Sequence, residues 1–226
     1  MNKYEEKVFE MYKKINIGKS DICQKCRGQN TNLSLPVSIW QVGDEYYDSK
    51  YRVLFVGKVA RGTPGEKHGD FMDATKRADE LYQNVGWAYW NYTKAIANSL
   101  YDKNAWEKIA FTNMVKCNSS NTIDTTTDSM RDFCLLVLKE EIKMLKPKNI
   151  VFYTKGYDEQ IERLFDNIGN SKTEYVNIGK KEMSSWTFEG TIGDNVVRCI
   201  RVGHPERLKK EAFVNHILQY LICEHP

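Results

Sequence analysis

Apolar residues along this chain follow two periods. Four short β-rich runs, YRVLFVGK (51–58), KIAFTNMV (108–115), NIVFYT (149–154) and VVRCIRVG (196–203), are nearly continuous in hydrophobicity. Such runs mark strands buried on both faces of a parallel sheet. Helical patterning covers about 74–84, 87–101, 128–146, 157–167 and 206–222. Strand alternating with helix predicts right-handed crossovers and helices on both sheet faces. The expected fold is therefore α/β, a three-layer α/β/α sandwich around a central, mainly parallel four-stranded sheet. The opening MNKYEEKVFEMYKK reads as an amphipathic helix. With the segment to about residue 45 it forms an N-terminal arm on a single domain, 1–226. The stretch 171–195 predicts a short extra strand or hairpin, with Gly190 and the GDN at 193–195 as turn signals.

Sheets of this kind hold ligands at the carboxyl ends of their strands. That rule points to 57–65 after the first run, Asn113 to Cys117 at the end of the second, and Gly203, His204 and Pro205 after the last.

A length of 226 residues suits one sizeable core. A charged fraction of 28% and an apolar fraction of 41% are ordinary globular values and indicate neither a disordered nor a membrane-embedded chain. No apolar run approaches the roughly 18 residues of a membrane span, and the charged first helix is not a signal peptide. The expected compartment is cytoplasmic and reducing, which argues against the six cysteines forming disulfides. A net charge of +3 does not by itself imply a polyanion partner. Lys146 with Lys148, and Arg198, Arg201, Arg207, Lys209 and Lys210, are candidates for a phosphate path or a plain solvated surface.

Four of the cysteines carry the strongest chemical signal. Cys23 and Cys26 form a C-x-x-C pair, Cys117 closes FTNMVKC (111–117), and Cys134 opens the apolar helix CLLVLKEEIKML (134–145). A zinc knuckle draws its ligands from one short module, whereas these come from distant segments. They predict a metal or iron–sulfur site assembled by the whole fold, stapling the N-terminal arm to the core. Cys199 and Cys223 read as buried thiols without a ligand role.

The run VLFVGKVARGTPGEKHGDF (53–71) feeds a strand into a Gly-rich loop able to present backbone amides to a ligand. It is neither a P-loop nor a G-x-G-x-x-G turn. His204, on a Gly-His-Pro turn, is placed to donate a hydrogen bond to developing negative charge. Asn113 offers a donor and an acceptor, as reading a base edge requires.

Together these residues resemble the uracil-DNA glycosylase superfamily, most closely its iron–sulfur-containing family 4 branch, from Cys23 to about Arg207. The resemblance implies a four-iron, four-sulfur cluster (4Fe–4S) held by Cys23, Cys26, Cys117 and Cys134, with zinc as the alternative metal. It implies that Phe71 stacks on a flipped base, that Asn113 bonds the base edge beside Gly57 and Lys58, and that His204 stabilises negative charge as the glycosidic bond breaks. Arg207 would hold a DNA phosphate. The family's first motif reads GEaPG where this chain has GKVARG (57–62), with Lys58 in place of the Glu. Glu66, Asp70 and Asp73 are possible replacement carboxylates. The expected activity is a DNA glycosylase removing uracil or another deaminated base during base excision repair. Its expected partner is DNA, single-stranded or damaged, and no membrane is expected. Two alternatives remain: a silent nucleic-acid-binding protein that keeps fold and cluster, and a zinc-bearing generic α/β hydrolase.

Overall fold

The computed structural model describes residues 2–29, 33–36, 41–61, 79–83, 86–119 and 126–223. Helix α1 (Lys3–Lys14) opens on a capping box, the Asn2 side chain accepting from the amides of Tyr4 and Glu5 while Glu5 accepts from the Asn2 amide. This arrangement satisfies amides the first helical turn leaves unpaired. Val8, Phe9, Met11 and Tyr12 of α1 are buried in the core. Helix α2 (Asp21–Gln29) and strands β1 (Leu33–Pro36) and β2 (Gln41–Val42) follow.

The four predicted apolar runs form parallel strands β3 (Val53–Arg61), β4 (Ile109–Ser119), β5 (Asn149–Phe152) and β8 (Asn195–Arg201), in spatial order β4-β3-β5-β8. Alternation along each strand builds two cores. In β3, Leu54 and Val56 face one layer and Val53 and Phe55 the other, all fully buried. The first layer contains α1, α4 (Asp128–Leu145) and α5 (Asp158–Leu164). The second contains the helical residues 79–83, α3 (Ala88–Leu100) and α6 (Lys210–Ile222). Helices therefore cover both faces, as the alternation predicts. No helix among the described residues is long and apolar enough to cross a membrane.

The sheet is wider than the expected four strands. β1 and β2 pair antiparallel with β4, and β6 (Asn167–Ile178) and β7 (Lys181–Ile192) extend it antiparallel beyond β8. The predicted short strand or hairpin at 171–195 is thus two strands of 12 residues each. β6 is mostly exposed, so its period of two is hidden behind polar residues on both faces. The β7–β8 turn uses Gly193, as expected, and the β6–β7 turn uses Gly179, both at positive φ. Gly190 is not a turn residue. It lies inside β7 opposite Val197, where a Cβ would collide with the Phe165 ring.

Three further expectations change. β3 runs on to Arg61 and β4 to Ser119, because their parallel ladder continues and β1 lines the far end of β4. Gly57 and Lys58 are therefore strand residues rather than loop residues. Asn113 lies within β4, and Cys117 pairs with Pro36 inside the ladder. Cys223 is an exposed C-cap of α6, not a buried thiol, whereas Cys199 is fully buried. Arg201 leaves the proposed cationic path: it is 4% exposed, with its guanidinium donating to Asp158 and Ser184.

Candidate functional site

The connection leaving β3 crosses to the α3 face and that leaving β5 to the α5 face. Such a divergence opens a crevice at the carboxyl ends of the strands. Three predicted residues meet there. Gly57 is paired with Asn113 across β3 and β4, and Asn113 Oδ1 fills the space a Cβ on residue 57 would need. Asn113 is only 6% exposed. Its backbone carbonyl accepts from Lys116 Nζ at 2.6 Å, which ties down the strand beneath the amide.

His204 follows β8 and is exposed. Its Nδ1 accepts from the Glu206 amide at 3.2 Å, which assigns the neutral ring's proton to Nε2 and makes that nitrogen the donor. The ring stacks on Tyr89, with centroids 5.9 Å apart and an interplanar angle of 29°. Tyr89 joins the site from the start of α3. Its hydroxyl stands 3.1 Å from the Cβ position of Gly57, and its ring makes edge contacts with Phe111 and Tyr153. Burial and the neighbouring Tyr153 push its phenol well above the ordinary value of 10, so it remains protonated at neutral pH.

On the β5 side, Lys58 Nζ lies 4.9 Å from the Tyr157 ring centroid and the Arg131 guanidinium 4.7 Å from it. The Tyr157 hydroxyl shares a 2.7 Å hydrogen bond with Thr126, which also accepts from Arg131 Nε. Lys58 thus belongs to a cationic group against an aromatic face, worth about 0.5–2 kcal/mol per contact. Arg207 is exposed beside His204 and ion-pairs with Glu206 at 3.7 Å. Phe71, Glu66, Asp70 and Asp73 lie outside the described residues.

Cys23 and Cys26 lie in α2, Cys117 in β4 and Cys134 in the N-terminal half of α4. Cys23, Cys26, Cys117 and Cys134 are all buried and free of disulfides. Cys134 lies close enough to Cys23 and Cys26 for each to oppose its ionisation. Burial is the larger effect, pushing the Cys134 thiol up to about 12. Amides of Gly18 and Lys116 donate to the sulfurs of Cys23 and Cys134 at 3.2 and 3.4 Å. Among the described residues, no group of three or more Cys, His, Asp or Glu side chains converges as a ligand set. The donor chemistry nevertheless suits a thiophilic metal: buried sulfurs from α2 and α4 share one neighbourhood and receive N–H donors of the kind that support thiolates.

Tyr89, Tyr157 and Arg131 were not singled out by sequence. Tyr89 is embedded in WAYWNYTK (87–94), where Trp90 and Tyr92 are buried core residues. Nothing in the pattern separates a site aromatic from a core one. No protein-family model matches the chain, and no curated protein matches it.

Proposed function

We propose that this protein is a DNA glycosylase that hydrolyses the N-glycosidic bond of uracil or another deaminated base. The observation that carries the reading is the Asn113 amide, only 6% exposed, set against Gly57 and beside the Tyr89 ring that stacks on His204. A base edge offering a carbonyl beside an N–H is a partner that satisfies both the donor and the acceptor of such an amide.

In this reading a flipped base enters between Asn113 and the Tyr89–His204 stack. Asn113 reads its edge, and the His204 Nε2–H donates to the carbonyl oxygen that gains negative charge as the glycosidic bond breaks. Phe71 supplies the stacking face, Arg207 contacts the backbone, and Glu66, Asp70 or Asp73 orients the attacking water. A 4Fe–4S cluster, with zinc as the alternative, would be held by Cys23, Cys26, Cys117 and Cys134. Its contribution when bound is structural, locking α2 against α4 and β4.

Single-turnover base release from oligonucleotides carrying uracil, hypoxanthine or xanthine tests the reading. Release is expected from at least one substrate, and His204→Ala should slow it by about 10²-fold, the usual cost of removing a donor to developing charge. Unchanged release in His204→Ala would remove His204 from the mechanism. No release from any substrate would reject the glycosylase.

A second reading is favoured by Lys58, whose ammonium lies over Tyr157 where the resembled family has a carboxylate. A silent nucleic-acid-binding protein keeping the same fold would bind uracil-containing or abasic DNA without turnover.

A further inference from the structure

Tyr89 presents a hydroxyl that the fold does not use. It is buried and has no hydrogen-bond partner among the described residues. Its ring, by contrast, is held on several sides: by Trp90 at 5.5 Å, Phe111 at 5.2 Å, Tyr153 at 5.0 Å and His204 at 5.9 Å between centroids. A phenylalanine would make all of these contacts. The hydroxyl adds only a desolvation cost that nothing in the described structure offsets, and such costs persist where a ligand supplies the missing partner.

Its position indicates what that ligand is. The hydroxyl and Asn113 Oδ1 both lie against the point where residue 57 lacks a Cβ, so the phenol donor and the amide meet beside Gly57. We infer that Tyr89 is a further base-contacting residue, its hydroxyl donating to an exocyclic carbonyl oxygen of a planar heterocycle whose edge is read by Asn113. This assignment rests on the base-excision reading above and adds to it a residue from α3. The Tyr89 ring packs edge-on against Phe111 and Tyr153 and its hydroxyl is buried, where a hydrogen bond to a bound carbonyl is strengthened by the low local dielectric.

The test is Tyr89→Phe, which removes one oxygen and keeps the ring. Three quantities are measured on the full chain: the thermal midpoint, single-turnover base release, and inhibition of release by the free base. The expected result is a midpoint equal to or above that of wild type, with release slowed by about tenfold, the cost of one buried hydrogen bond to the reacting complex. Inhibition by free base should weaken in parallel. Tyr89→Leu, which also removes the stack on His204, should be slower still.

A Tyr89→Phe protein that releases base and binds free base like wild type overturns the inference while leaving the glycosylase reading intact. A marked fall in its thermal midpoint also overturns it, because the hydroxyl would then have a structural partner. Absence of release and of free-base binding in wild type rejects both readings together.

Discussion

Asn113 and Gly57 stand opposite each other in the β3–β4 register, with the Asn113 side-chain oxygen in the space that any Cβ at residue 57 would occupy. The glycine is therefore a condition of the amide's position. Gly57→Ala should turn the Asn113 amide away from the opening and lower base release by about 10²-fold, as a misplacement of about 1 Å does. The displaced atom is the tip of a side chain, so the thermal midpoint should move by only a few degrees. Release at the wild-type rate would show that the amide does not depend on the missing Cβ.

A buried ion pair sits directly below this site. Lys116 Nζ lies 2.7 Å from Glu141 Oε2, both side chains fully inaccessible, and also donates to Thr112 Oγ1 and the Asn113 carbonyl. Thr112 and the Tyr12 hydroxyl complete the carboxylate's shell, joining α1, β4 and α4. Glu141→Leu should cost about 3–5 kcal/mol by leaving the ammonium buried and unpaired. The double variant Lys116→Met with Glu141→Leu should lose less than the sum of the two single variants in denaturant unfolding. Additive losses would mean that the pair contributes no coupling.

Stability should depend on pH through His216. Its Nε2 shares a 2.9 Å hydrogen bond with Ser185, and burial holds its basicity below the ordinary 6.5, with Glu174 acting in the opposite direction. The unfolded chain therefore binds more protons at this position than the folded one. The sign follows: stability is complete above about pH 6.5 and falls as pH drops towards the folded value. His216→Gln should flatten that part of the stability profile, and an unchanged profile would assign the acid sensitivity to other groups.

Removal of single thiols should separate the cysteines into two classes. Anaerobically purified protein is expected to contain about four iron and four sulfide per chain and to absorb broadly in the visible range. Cys134→Ala should lose both, whereas Cys223→Ser, at an exposed helix end, should retain both. A colourless wild-type protein containing one zinc would overturn the iron–sulfur assignment.

Lys58 should act on DNA as a cation. Its ammonium shares the Tyr157 ring with Arg131 on the edge where the strands end. Lys58→Ala should weaken binding similarly for all sequences and reduce the slope of log K against log salt by about 1. A slope identical to wild type would remove Lys58 from the phosphate contacts.

The sequence by itself determined the layered core. Four continuous apolar runs became β3, β4, β5 and β8, and the helical periods became α3 to α6, because burial on both faces of a sheet leaves an unbroken hydrophobic signature. It also placed His204 just after the last parallel strand, since strand order and chain direction decide where such ends lie, whereas Asn113 lies within β4 rather than at its end. Only the tertiary structure decided the rest. Strand β6 shows little hydrophobic alternation because it is mostly exposed. Gly190 reads as a turn until Phe165 is seen against it. Tyr89 is one aromatic among several in its helix until its ring is found on His204 and its hydroxyl beside Gly57. Periodicity reports how much of a side chain is buried, whereas function at this edge depends on which atoms of distant segments face each other, and that is a property of the folded chain.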